Sequence, residues 1–480
     1  MRWAWMAVVP AVLGGAAAAQ EPAVVTPPPP AQAAPAAPAS VTLSPAQAET
    51  ALKALRAADL HGLRRQDYVP ADPADNAALV RGVLKYARDV KTGRLAAADF
   101  PDLWAIRPPA YDPAPELARA VAEDRLQAWL DDLAPRYAGY TALKRGLVRY
   151  REIAKAGGWE TIPQGPPMGL GSADPRVPAL RKRLAVEDPQ TEATGPAAFD
   201  TALQDAVVRA QKRYGLKPDG VVGNGTLAYL NQPVGQRVLQ IIANMERWRW
   251  LPATMPATRV QVNSGAAVVT LFQDDKPVLS MKAVSGKPGD ETPMLMSAIH
   301  SIVINPPWNV PARIAREELW PKERARPGYL AANGYRVIKM EGGQSRLQQR
   351  SGDSSALGRF KFDFDNPFTV YLHDTPSKSA FDLYARQASH GCVRIEKPRK
   401  LAEALLAADP AWGDSAAFDS ALGDGSKTQR VKLPEQVPIM ILYWTAFGSA
   451  DGQMHFRGDP YNWDRLLLTK VGVVGQQAKA

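Results

Sequence analysis

The chain is predicted to be a multidomain α+β protein, and three features of its residue pattern predict it. Apolar residues recur every three or four positions from about residue 43, the pattern changes to alternation from about residue 257, and Pro- and Gly-rich breaks separate the blocks. A period near 3.6 marks helices with one buried face, and a period of two marks strands with one buried face. Helices first and strands afterwards give an α+β order. With 480 residues, 46% of them hydrophobic, and 12 Trp, the chain has material for several cores.

The first residues, MRWAWMAVVPAVLGGAAAAQ, place one basic residue, an apolar stretch and Ala-Ala-Ala before Gln20. This is the layout of a secretory signal peptide, expected over 1–19. No later stretch offers about 18 consecutive apolar residues, so the processed chain is expected to be exported and soluble. Residues 20–42 are rich in Pro and Ala with almost no charge and read as an extended linker. The net charge of +10 favours polyanions, which for an exported chain means anionic lipid, wall polymers or acidic glycans rather than nucleic acid. The same excess also serves solubility.

Residues 43–172 read as a helical scaffold domain, completed by 236–256. SPAQAETALKALRAADLHGL opens on a Ser-Pro helix start, and DNAALVRGVLKYARDVKTGRL and PELARAVAEDRLQAWLDDL carry helical spacing. His61 follows the first of these helices and is expected to be solvated. After the break GGWETIPQGPPMGLGSADP, two or three short helices closed by a Gly-rich loop are expected over 173–235. QRVLQIIANMERWRWLP is then a helix whose Trp248 and Trp250 return to the scaffold. TRVQVNSGAAVVTLFQDDKPVLSMKAVSG alternates apolar and polar residues and is broken by Asn-Ser-Gly and Asp-Asp-Lys-Pro, the signature of antiparallel strands joined by turns. With AIHSIVINPPWNVP, FTVYLHDT and VPIMILYWTAF it makes a mostly β domain over 257–447, followed by a C-terminal extension, 448–480.

Cys392 is the only cysteine, so it has no disulfide partner in the chain and is either an inert buried thiol or a reactive one. The strand FTVYLHD ends at His373, and sixteen residues (374–389) separate it from His390, Gly391 and Cys392. A thiol attacks as thiolate, and an imidazole can take its proton. Spacing leaves both histidines open. His390 shares a face with Cys392 if the chain is extended, but not if Gly391 makes a tight turn. His373 needs the fold to bring it in. Tyr371 alternates with His373 and shares its face. Ser389 suits a turn-stabilising hydroxyl better than a serine nucleophile. No zinc-type ligand spacing, phosphate loop or dinucleotide glycine pattern is present, so neither metal nor cofactor is expected.

HDTPSKSAFDLYARQASHGCVRI resembles the signature of the L,D-transpeptidases, the YkuD-type catalytic domain, in which a histidine precedes Ser/Thr-His-Gly-Cys at a family spacing. GKPGDETPML, INPPWNVP and HDTPSK are similar to the large exported subgroup that carries a scaffold and a three-helix peptidoglycan-binding-like module. That module is similar to 173–235 at Val177, Leu180, Leu184, Gln211, Tyr214, Gly215, Asp219, Gly220 and Thr226; it departs at Ala210, where the family usually has an aromatic. The resemblance implies Cys392 as nucleophile, His373 as general acid/base, an oxyanion hole at the Gly-Cys turn assisted by Tyr371, and supporting places for Ser389, His390 and Gly391. It also implies a capping insertion over about 306–359, with Trp308 at its start in contact with substrate. Arg394 stands where many relatives have Asn. It would hold a substrate carboxylate or pair with a neighbouring acid.

The function implied is a periplasmic enzyme that forms 3→3 crosslinks through a cysteine thioester. Its partners would be peptidoglycan stem peptides, a donor tetrapeptide and an acceptor diamino acid, and other wall-synthesis enzymes. Capture by carbapenem-type β-lactams would follow. The alternatives are a carboxypeptidase or endopeptidase that passes the acyl group to water, attachment of a lipoprotein to the wall, and a non-catalytic wall-binding scaffold.

Overall fold

The computed structural model describes residues 41–340, 344–449 and 451–475. The expected signal peptide and nearly all of the expected linker lie outside the described residues. Helix α1 (Pro45–Arg56) starts where Ser44 and Gln47 each accept the other's backbone N–H, which satisfies two of the donors a helix start leaves bare. Asp75 caps α2 (Asn76–Thr92). The next periodic stretch makes two helices, α3 (Ala114–Ala122) and α4 (Leu126–Asp131), parted where Asp124 takes a φ of +51°. Asp enters this left-handed region more readily than most residues. Leu55, Leu79, Val83, Leu117 and Leu130 close the core of these four helices.

His61 is not solvated. It is buried, with Nδ1 3.0 Å from the Tyr140 hydroxyl and Nε2 3.4 Å from Lys144 Nζ. Burial chiefly, then the Lys144 and Arg249 charges, holds its pKa down at about 3. The expectation of a loop histidine failed because α5 (Ala138–Lys155) packs over the end of α1 and brings Tyr140 and Lys144 with it.

Helices α6 (Val177–Glu187), α7 (Thr201–Tyr214) and α8 (Asn224–Leu230) form the small module. Gln211 pins its Gly-rich loop from inside: Nε2 donates to Asp219 Oδ1 and to the Val221 carbonyl, both at 3.0 Å, and Oε1 accepts from the Gly220 N–H at 2.9 Å. Ala210 is fully buried and faces the module core. Helix α9 (Val234–Trp248) is buried along most of its length. One continuous core joins Tyr140 of α5, Leu203 of the module, Ile241 and Trp248 of α9, and Tyr443, Phe456 and Leu467 further on. The segment after Phe447 therefore packs into the helical half, as a hairpin of Ala446–Gly448 with Met454–Phe456 followed by the helix Trp463–Lys470.

The change of period near residue 257 marks the start of the β domain. Its strands are β1 (Arg259–Asn263), β2 (Val268–Gln273), β3 (Lys276–Gly286) and β4 (Leu295–Ile304), then β5 (Trp308–Asn309), β6 (Tyr335–Lys339) and β7 (Ser345–Gln349). After these come β8 (Phe360–Phe364), β9 (Leu372–His373), β10 (Gln387–Ser389), β11 (Val393–Ile395) and β12 (Gln429–Leu442). Nine of them make one sheet in the order β10-β3-β11-β9-β8-β4-β12-β1-β2, and β2 also pairs with β3, so the sheet closes on itself. At the β2–β3 turn Asp274 and Asp275 both have positive φ, the requirement of a type I′ hairpin. Val262, Ile302, Phe362, Leu372, Val393 and Ile439 fill the core with Leu401 of the helix Pro398–Leu405.

β5, β7 and β6 form a separate three-stranded sheet within the insertion. Val310, Ile314, Leu319 and Leu347 give it a core of its own, against which Trp308 and Trp320 pack. Two prolines precede Trp308, which suits a two-residue strand at the edge of that sheet.

Candidate active site

Strand β9 lies between β8 and β11, with Lys361 and Arg394 as the register partners of His373 on either side. Alternation sends Leu372 into the core and Tyr371 and His373 to the opposite face, where their rings meet edge-on at 5.5 Å. The expected strand FTVYLHD is regular only at Leu372–His373, because Thr369, at a φ of +54°, turns the chain before it. His373 is 5% exposed, and its Nδ1 lies 2.5 Å from the Asp374 carbonyl. A carbonyl only accepts, so the proton sits on Nδ1 and Nε2 keeps its lone pair. Burial, followed by the Arg394 charge, brings the imidazole pKa down to about 3; the Asp374 carbonyl opposes this and Lys361 adds to it.

The turn from Ser389 to Cys392 is braced from several sides. Ser389 Oγ donates to the Cys392 carbonyl at 2.6 Å and accepts from the Gly391 N–H at 3.2 Å. Gly391 has a φ of +106°, open to glycine and strained for other residues. Thr292 Oγ1 donates to the Gly391 carbonyl and accepts from the Gly286 N–H, both at 2.8 Å. The Tyr461 hydroxyl donates to the Gly286 carbonyl at 2.7 Å. Sequence reasoning missed Thr292 and Tyr461. Thr292 lies inside the GKPGDETPML stretch, but nothing in its neighbours points to Gly391, and Tyr461 comes from the segment read as an extension.

Gly391 also separates its neighbours. His390 reaches toward the insertion, where Nε2 lies 2.6 Å from Glu318 Oε1 without the alignment of a hydrogen bond. Cys392 turns toward Tyr371 and is half-buried. Burial raises the thiol pKa; the Tyr371 backbone N–H and hydroxyl, which face the sulfur, and the Lys361 and Arg394 charges all act against that rise. Burial also raises the Tyr371 hydroxyl, which Cys392 and Trp308 both face. The thiol is shifted up and the imidazole down, so both groups that meet Tyr371 favour their neutral forms.

Arg394 is half-buried beside Cys392, its Nε has no partner, and among the described residues no carboxylate lies within ion-pair distance of it. Of the two roles open to it, pairing with a neighbouring acid finds no acid. The insertion is tied to the loop below it by Arg313 on Asp290, which Lys287 also meets at 3.5 Å. Among the described residues no three His, Cys, Asp or Glu side chains are grouped to hold a metal, and no helix is long and apolar enough to cross a membrane.

Residues 257–412 match the family model of the L,D-transpeptidase catalytic domain. Residues 257–412 are thus an L,D-transpeptidase catalytic domain by family. Residues 42–147 match a scaffold domain, and residues 174–230 match a "Putative peptidoglycan binding domain". A "Putative L,D-transpeptidase" of Haemophilus influenzae is 29% identical over 244 residues, 48% of each chain. The chain thus spans about half the length of the curated relative it matches. An L,D-transpeptidase from Mycobacterium smegmatis aligns at 15% identity over 38% of this chain and 58% of its own, with a TM-score of 0.22. One from Xylanimonas cellulosilytica aligns at 19% identity over 58% and 98%, with a TM-score of 0.17. Scores this low carry no weight; the L,D-transpeptidase assignment rests on the family models and the curated relative.

Proposed function

We propose that the protein is a periplasmic L,D-transpeptidase that forms 3→3 crosslinks between peptidoglycan stem peptides, with Cys392 as nucleophile and His373 as proton carrier. The observation that supports this most is Tyr371, which meets His373 with its ring and Cys392 with its hydroxyl inside an L,D-transpeptidase domain. The wall-directed module and the expected signal over 1–19 support a substrate and a site of action outside the cytoplasm.

Cys392 Sγ attacks the carbonyl of the third residue of a donor tetrapeptide as the thiol proton moves to His373 Nε2. The depressed imidazole pKa makes a free imidazolium costly, so transfer accompanies attack instead of preceding it. Tyr371 and the N–H groups of the Gly391–Cys392 turn receive the developing oxyanion. The C–N bond breaks, His373 returns its proton to the departing D-Ala amine, and a thioester remains. An acceptor amine then attacks, His373 takes its proton, and the thiol is released. The cleaved peptide bond supplies the energy for the new one. Arg394 holds a free carboxylate of the donor through charge-assisted hydrogen bonds, and Trp308 borders the bound stem.

The test is incubation of purified protein with tetrapeptide muropeptides and mass spectrometry of the products. Crosslinked dimer from wild type and none from Cys392→Ala is expected; equal products from both would remove the cysteine from the mechanism. Free tetrapeptide converted only to tripeptide would assign the hydrolytic alternative.

A further inference from the structure

β8 alternates as cleanly as a strand can. Phe360, Phe362 and Phe364 point into the core, and Lys361 and Asp363 point to the face that carries the site. Lys361 is the register partner of His373, and cross-strand partners share a face of the sheet. Its ammonium does not run out to solvent: the side chain is 23% exposed, and Nζ lies 4.4 Å over the centre of the Tyr371 ring and 2.6 Å from Asp363 Oδ1. Asp363 does not cancel it. Its other oxygen is held by Arg430 Nη1 at 2.7 Å, so Lys361, Asp363 and Arg430 together present one net positive charge.

We propose that Lys361 is a positioning residue for the L,D-transpeptidase thiol: fixed on the Tyr371 ring by Asp363, its ammonium stabilises the Cys392 thiolate as it forms and opposes charge on His373. This rests on the reading of Cys392 as nucleophile. The charged and titratable groups that act on Cys392 are Tyr371 from β9, Arg394 from β11 and Lys361 from β8; His373 lies on the same face against the Tyr371 ring, Asp363 acts on the Tyr371 hydroxyl, and His390 turns away to Glu318. Among the described residues Arg394 has no anchoring acid, which leaves it available to a substrate carboxylate. Lys361 is anchored, so its charge stays in place whether or not substrate is bound. Proton removal from the thiol thus depends less on what occupies Arg394.

The test reads the thiol without turnover. Iodoacetamide alkylation of Cys392, the only cysteine, is followed by intact mass from about pH 6 to pH 10 in wild type, Lys361→Met and Lys361→Arg, with thermal melting as the check on folding. The Met variant should lower the rate about tenfold over the range in which the rate rises with pH, the mark of a midpoint displaced upward by about one pH unit. The Arg variant should keep the wild-type midpoint. If the Met variant melts early, Lys361→Gln is expected to give the same shift. A Met or Gln variant with the wild-type midpoint, or an Arg variant displaced as far as Met, would overturn the proposal. Alkylation does not require Cys392 to be catalytic, so crosslinking by Cys392→Ala would refute the nucleophile while leaving the Lys361 result readable.

Discussion

Acid should destabilise this protein through its buried histidines, and His61 allows the effect to be isolated. In the folded chain His61 and His373 have pKa values of about 3, against about 6.5 for a free imidazole, with burial the largest cause for both. Between those values the unfolded chain binds protons that the folded chain refuses. Stability is therefore full above about pH 6.5 and falls as pH drops. At about pH 5 the difference is about 1.5 pH units at about 1.36 kcal/mol each, or about 2 kcal/mol per histidine. Because pH 5 lies well above 3, this figure depends little on how far each pKa is depressed. His61 is 8% exposed, so solvent screening takes little from it. Replacing it with Gln removes the titration but keeps a neutral side chain facing Tyr140 and Lys144. Urea unfolding at about pH 7 and pH 5 should show wild type losing about 2 kcal/mol more than His61→Gln on acidification. Equal losses in the two proteins would show that His61 is protonated in the folded chain, and the burial argument would fail.

Tyr371→Phe removes a hydroxyl that faces Cys392 while keeping the ring under Lys361 and against His373; kcat on muropeptide substrate should fall about 10²-fold with an unchanged melt. Thr292→Val leaves the Gly286 N–H and the Gly391 carbonyl without their bridging hydroxyl in a fully buried place, and should cost about 2 kcal/mol in urea unfolding together with a loss of Cys392 acylation. Arg394→Met should raise KM for a donor with a free carboxylate about tenfold and leave the KM of an amidated donor unchanged, measured by the same mass-spectrometric assay. Gly286→Ala would place a Cβ 1.9 Å from the Asp290 carbonyl, and should lower stability by about 2–3 kcal/mol with the melt as its measure.

What could be read from the sequence follows from how far apart the interacting residues lie in the chain. Helix starts and the Asp-Asp hairpin are set by neighbours within four residues, so Ser44, Asp75 and the Asp274–Asp275 turn were legible from local chemistry. The change of period located the β domain for the same reason. His61 was not legible, because its burial is decided by Tyr140 and Lys144, some eighty residues on. The site divides along the same line. The histidine and cysteine of the motif are near each other in the chain, and a short spacing can carry them. Thr292, Tyr461 and Lys361 reach the site through strand register and a returning C-terminal segment, which leave no local trace. Between these cases stands Gly391. Sequence left two histidines as candidates for the base, and the choice turned on whether one glycine was extended or turned. At a φ of +106° it sends His390 to Glu318 and Cys392 to Tyr371, beside His373. A single backbone angle therefore gives the two histidines different surroundings, and a side chain at that position should disturb the thiol before it disturbs the fold, since a Cβ there would meet nothing closer than 3.7 Å.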